Sequence, residues 1–129
     1  MLHSQIESEN KKIYNLEERT FYFAKNIRAF VKKIEANVWN KEDVKQLVRS
    51  SGSVAANYIE ANEKLGEKDF LMKIRICKKE TKESILWLKL LDIENTTANQ
   101  LRLELIKEAQ EIQNIFGAIY KKALNNQTK

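Results

Sequence analysis

Residues 46–65, QLVRSSGSVAANYIEANEKL, decide how this chain is read. At about 100° per residue, a helix here places Val44, Leu47, Val48, Ser51, Ala55, Tyr58, Ile59 and Asn62 on one stripe, which reads as ordinary core. The opposite side carries Arg49, Ser50, Ser53, Asn57 and Glu60, compact hydrogen-bonding groups at near four-residue spacing, with Gly52, Ala56 and Ala61 thinning its edges. Where this chain meets solvent elsewhere it uses Lys and Glu. A face of Ser, Asn, Ala and Gly suits the close approach of another helix, so it reads as a self-association surface before a catalytic one.

Working outward, the composition supports one helical domain. The 129 residues are 43% hydrophobic and 32% charged, enough for a core and a soluble surface. The absence of proline and the presence of only three glycines leave little to break helices or to punctuate strands. A formal charge of +5 and a pI near 9.3 favour an anionic partner without choosing among nucleic acid, membrane surface and acidic protein. Cys77 is the only cysteine, which excludes an intrachain disulfide and a secreted disulfide scaffold. No stretch has signal-peptide character or the apolar length of a membrane span, so a cytoplasmic protein with no membrane partner is expected, and the Asn-x-Thr sequons at Asn95 and Asn126 carry no meaning.

The first 15 residues lack periodicity and read as a flexible arm, followed by one bundle domain over residues 16–126. A first helix begins near Leu16, with Phe23, Ile27, Phe30, Val31, Ile34 and Val38 continuing its stripe, and Phe21 and Tyr22 off that side. Asn40 suits the N-cap of the second helix, accepting from the amide of Asp43. That helix runs to about Lys64, and Leu65-Gly66 suits a left-handed C-cap. A third helix from about Glu67 to Ile93 buries Phe70, Ile74, Cys77, Thr81, Ile85, Leu88 and Leu91. It has a second apolar patch of Met72, Ile76, Leu86, Trp87 and Leu90, with Trp87 the expected anchor for a partner subunit. After Asn95, Thr97 and Gln100 suit a capping box. The fourth helix then repeats Ala98, Leu101, Leu105, Ala109, Ile112, Phe116, Ile119 and Ala123, with a loose tail from Asn125. Short connections make neighbouring helices antiparallel. The expected fold is all-α, an antiparallel up-down-up-down four-helix bundle that assembles as a homo-oligomeric ring.

Catalysis is poorly provided for. The single histidine, His3, lies in the arm, which excludes helical di-metal sites of the Glu-x-x-His type and Arg-His ribonuclease chemistry. Cys77 reads as a small buried hydrophobe, and no glycine-rich phosphate loop exists. Glu60 with Glu80 or Glu83 would be the only acid-base candidates, and a polar network joining Glu60 and Arg49 to Ser53 and Asn57 is the commoner use of such residues. No catalytic residue, metal or cofactor is expected. Arg75, Lys78, Lys82 and Lys89, with Lys79 at their edge, form the candidate anion-binding sector of the third helix.

The segment from Gln46 to Leu91, about a third of the chain, resembles the four-helix-bundle family of proteins encoded in intervening sequences of bacterial 23S rRNA genes. Arg49, Ser50, Ser53, Asn57 and Glu60 stand at its Arg-x-x-x-Ser-x-x-x-Asn-x-x-Glu pattern, followed by the acid-aromatic pair Asp69-Phe70 and by Glu80 and Glu83 on a Glu-rich third helix. The resemblance implies homopentameric, barrel-like rings, with Arg49, Ser50, Ser53, Asn57, Glu60, Met72, Ile76 and Trp87 as ring contacts. A relative of the resembled family with the same fold, the accessory variability determinant of diversity-generating retroelements, binds nucleic acid and a partner reverse transcriptase. Two functions are therefore expected in order. One is a non-catalytic oligomeric scaffold that binds RNA or DNA through Arg75, Lys78, Lys79, Lys82 and Lys89 without strong sequence preference. The other is an adaptor docking an acidic protein partner such as a reverse transcriptase.

Overall fold

The computed structural model describes residues 15–35, 37–63 and 65–127. Helices α1 (Leu16–Val31), α2 (Lys41–Ala61), α3 (Glu67–Leu90) and α4 (Thr96–Gln127) follow in chain order, and no strand occurs among the described residues. The expected arm lies outside the described residues except for Asn15. That residue is the N-cap of α1, its Oδ1 accepting from the Glu18 amide at 3.0 Å, and Glu17 and Glu18 sit at the positive helix end. At the other terminus α4 continues through Gln127, so the loose tail expected from Asn125 is helical as far as the structure describes it.

Each helix packs on the next in sequence, and α4 closes against α1. The register of α2 against α3 is antiparallel. Asn40 meets Asp92, Ser50 meets Ser84, Val54 meets Cys77, and Glu60 meets Lys73, one number rising as the other falls, and Arg49 reaches Glu80 one turn along from Ser84. The all-α, four-helix arrangement agrees with the expected bundle class. Phe23, Ile27, Phe30, Ile74, Cys77, Leu88, Leu105, Ile112 and Phe116 are all enclosed at the spacings their helices predict. Tyr58 of α2 meets Phe116 of α4 across the core, edge to face at 5.6 Å between ring centres. Between α1 and α4, Arg19 grips Glu108 with two hydrogen bonds, 2.9 Å from Nε and 2.7 Å from Nη2. Burial pushes the Glu108 carboxyl up, and the guanidinium offsets that only in part.

Helix ends depart from expectation in four places. α1 stops at Val31, and Val38, expected on its stripe, is 82% exposed in the connection to α2. Asn40 precedes α2 but has helical backbone angles and makes no side-chain cap. Its amide instead pairs with the backbone of the α3–α4 connection. Nδ2 donates to Asp92 O and Oδ1 accepts from Asp92 N–H, both at 2.9 Å, in the pattern of a strand pair. A buried side chain satisfying two backbone groups outweighs one exposed cap. α2 ends at Ala61 with right-handed Asn62 after it, and Gly66 uses its positive φ of 123° at the entrance to α3, not as a C-cap. The cap of α4 is Asn95, whose Oδ1 accepts from the Ala98 amide at 2.9 Å, in place of a Thr97–Gln100 box.

Replacing Asn40 with Ala leaves the Asp92 amide and carbonyl without their partners and lowers the unfolding free energy by about 2 kcal/mol. Val38→Ala, two residues away and exposed, changes it by less than about 0.5 kcal/mol. Urea unfolding followed by circular dichroism measures both.

Candidate functional site

The face that α2 presents to the bundle is formed by Leu47, Ser50, Ser51, Val54, Tyr58 and Ala61. It is turned by roughly 70° from the stripe that the sequence predicts, at 100° per residue. Ser50, expected outward at a subunit contact, is fully enclosed, and Ala61 with it. Ile59, expected in the core, is 47% exposed. The Ser50 Oγ lies 2.7 Å from the Ser84 Oγ of α3; with the Ser84 hydroxyl donating to Glu80 O at 2.9 Å, Ser50 donates to Ser84, and Leu47 O at 3.3 Å is its alternative acceptor. Thr81 bonds to Cys77 O and Ser51 to Val48 O in the same way. The small polar side chains therefore do admit a close helix, and that helix is α3 of the same chain. Gly52 is used within the chain as well. An added Cβ would stand 2.9 Å from Nη2 of Arg28, which crosses from α1 and donates to Val48 O.

Above this seam sits a charged cluster. Arg49 donates to both oxygens of Glu80, at 3.0 and 3.3 Å, to Glu83 at 3.4 Å and to Gln46 at 3.1 Å. Burial pushes the Glu80 carboxyl up, but the hydrogen bonds from Arg49 and Ser53 outweigh it and hold the group below the usual carboxylate range. Asn57 bonds to the carbonyl and hydroxyl of Ser53, at 2.9 and 3.0 Å. Three of the expected contact residues, Arg49, Ser50 and Ser53, thus hold α2 to α3 within one chain, and Asn57 braces Ser53 from within α2. Glu60 is the exception, exposed and 3.6 Å from Lys73. The Arg49–Glu60 pairing expected from sequence is replaced by Arg49–Glu80. Each of Glu60, Glu80 and Glu83 faces a cation, a poor arrangement for acid-base chemistry.

The outer side of α3 divides into two strips. Met72, Leu86 and Leu90 are each about half exposed or more, and Ile76 is half-buried between them. With Lys79 and Glu83 they occupy 72, 76, 79, 83, 86 and 90, alternating spacings of four and three along one line. Trp87 does not belong to that line. It is half-buried against the core, and its indole N–H is enclosed without an acceptor, so it is not the outward anchor expected. The second strip, toward α4, carries Arg75, Lys78, Lys82 and Lys89, all exposed, with exposed Lys79 between the two strips. The stem of Lys78 passes Gly117 of α4, where an added Cβ would stand 4.0 Å away. None of these cations forms an ion pair with an acid among the described residues, whereas Glu80, Glu83, Glu108 and Glu111 are engaged by Arg49 and Arg19.

Sequence periodicity missed Trp39, which is 63% exposed in the α1–α2 connection, where no repeating pattern marks it. Cys77 is where its spacing put it, enclosed beside Val54 O at 3.6 Å, and burial pushes its thiol up to about 12. Among the described residues no group of His, Cys, Asp and Glu is placed to hold a metal, and no helix is long and apolar enough to cross a membrane.

The class is thus a small all-α, four-helix domain whose signature residues bind its central hairpin. Residues 11–118 match the 23S rRNA-intervening sequence protein family, and the chain belongs to it. A similar solved structure is a protein of unknown function from the S23 ribosomal protein family of Bacteroides thetaiotaomicron VPI-5482. It is 25% identical, with 83% of this chain and 99% of that one aligned at a TM-score of 0.70. No curated protein matches the chain.

A carboxyl held below its unfolded value contributes stability at neutral pH that is lost as pH falls through the lowered value. Glu80→Gln is therefore expected to cost about 1–2 kcal/mol at pH 7, the half-exposed Arg49 limiting the effect. The difference from the parent protein narrows toward pH 3, as urea midpoints across that range will record. Cys77 in the native protein resists iodoacetamide at pH 8, and reacts once the chain is unfolded in urea.

Proposed function

We propose that this protein is a non-catalytic, homo-oligomeric scaffold or accessory factor that binds RNA or DNA through the basic strip of α3, without strong sequence preference. The observation that carries this reading is the segregation of charge on that helix. Arg75, Lys78, Lys82 and Lys89 share one exposed side, none paired with an acid among the described residues, while Glu80 and Glu83 turn to Arg49. Such a strip attracts a polyanion by releasing its counterions. Phosphate contacts of this kind position a strand without reading its bases.

Self-association is supported by the other strip. Met72, Leu86 and Leu90 stand exposed on a line with the four-three spacing by which helices interlock. A subunit seated there repeats the basic strip, and weak phosphate contacts then add through effective concentration. The family resemblance favours a pentameric ring. Since Ser50 and Trp87 are turned inward, the subunit contact in this reading centres on Leu86 and Leu90, with Met72 and Ile76 at its border and Ile59, Ala56 and Glu60 available on α2.

Binding to a mixed-sequence RNA is expected to weaken steeply between 50 and 200 mM salt, a range over which affinity built on several phosphates falls by orders of magnitude. Lys78, Lys82 and Lys89 changed together to Glu should reduce the slope of log affinity on log salt by about 2. Salt-independent binding, or no response to the reversal, contradicts the proposal. Met72→Glu with Leu90→Glu should lower the solution mass by light scattering while the helix content stays unchanged.

A further inference from the structure

Where α3 begins to run along α4, an open groove of about 480 Å³ lies beside the basic strip. It is lined by the cations Lys68, Arg75 and Lys79, by the apolar Met72 and Ile76, and by Tyr120 of α4. Lys68, Arg75 and Lys79 are exposed, and no acid among the described residues pairs with them. Tyr120 is half-buried and packed against the core, so its ring is held in place while part of it faces the groove. A fixed aromatic ring and apolar side chains among cations make a different surface from the lysines farther along α3. Those offer charge alone.

We infer that this groove binds a single-stranded stretch of nucleic acid, one base lying on the Tyr120 ring and the flanking phosphates meeting Lys68, Arg75 and Lys79. The inference rests on the nucleic-acid reading above and goes further by selecting the strand state. Arg75 and Lys79 stand four residues apart, about 6 Å along the helix axis, close enough to serve neighbouring phosphates of one strand. Bases stack on aromatic side chains irrespective of sequence, because every base has a π-face. A duplex keeps its bases stacked inside and presents mainly phosphate and groove edges, so it engages the lysines without using the ring. Charge complementarity selects a polyanion, and the tyrosine with its apolar neighbours selects one that carries free bases.

The test is fluorescence anisotropy of the full chain with a labelled 12-nucleotide oligo-dT, a duplex of mixed sequence and equal length, and poly-glutamate of similar charge. The single strand is expected to bind most tightly. Tyr120→Leu, which keeps an apolar side chain against the core, should weaken single-strand binding roughly tenfold and leave duplex binding and the salt slope unchanged. Tyr120→Phe keeps the ring and should bind like the parent. Lys68→Glu with Arg75→Glu should lower the single-strand salt slope by about 1.4, that is about 0.7 for each phosphate no longer engaged. Light scattering of each variant checks assembly, because Met72 and Ile76 border both the groove and the apolar strip.

Equal affinity for single strand and duplex, with Tyr120→Leu silent while Lys78, Lys82 and Lys89 reversal still weakens binding, overturns the groove and leaves the broader proposal standing. Equal binding of poly-glutamate overturns the groove as well, since charge alone would then suffice. No binding to any nucleic acid at 50 mM salt overturns both.

Discussion

The contact between the Ser50 and Ser84 hydroxyls, 2.7 Å apart inside the bundle, fixes how near α2 and α3 can come, and most of the remaining structure follows from that approach. Two serines in facing positions let the backbones draw together, and a longer residue at either place would force them apart. Close approach brings Arg49 over Glu80 and Glu83, and it brings Cys77 within reach of Val54 O. At one end of the hairpin Asn40 ties the start of α2 to Asp92, and near the other Lys73 lies beside Glu60. The hairpin is thus held along its length by polar contacts set into an apolar core, and such contacts specify register more sharply than apolar packing alone. α1 and α4 then complete the core around Phe23, Phe30, Ile112 and Phe116, with Arg19 and Glu108 fastening their own seam.

This use of charge decides what the surface has left. Glu80 and Glu83 are engaged by Arg49, and Glu108 and Glu111 by Arg19, so these acids pair at the seams and not with the basic strip of α3. Arg75, Lys78, Lys79, Lys82 and Lys89 of α3 gain no such partners among the described residues. A modest formal charge of +5 therefore becomes a concentrated basic face. Glu60, Glu80 and Glu83 each lie beside a cation, and burial pushes the Cys77 thiol up. The functional reading accordingly rests on surfaces, one basic and one apolar, that lie side by side on α3.

Helix positions were largely legible because propensity and apolar spacing agree over long segments, most plainly in α4, where steps of three and four run from Ala98 to Phe116. The orientation of α2 was not. Its apolar residues, from Val44 to Ile59, spread over a wide arc, so the wheel has no sharp centre, and serine is easily counted as surface. A usable signal did exist. Ser50 stands three residues after Leu47 and four before Val54, and Ser84 three after Thr81 and four before Leu88, both at core spacing. Which helix a small polar face approaches depends on the facing residues of that helix, and single-helix periodicity contains no information about them. For the same reason the capping rule assigned Asn40 to its own helix, although a buried partner at Asp92 was available. Trp87 was placed outward because its spacing falls between the core stripe and the exposed line, and Trp39 escaped notice in a connection that has no period. The groove beside Tyr120 needs residues from two helices and becomes visible only when α3 and α4 are packed.

The most direct test of the account is whether Ser50 faces its own α3. Ser50→Cys with Ser84→Cys, in a Cys77→Ala background and under mild oxidation, places two thiols where the two hydroxyls now touch. The account predicts a disulfide within one chain, seen as a faster-migrating monomer on a non-reducing denaturing gel at every protein concentration. Disulfide-linked dimers that increase with concentration, with little monomer of altered mobility, would place Ser50 at a subunit contact and contradict the internal seam.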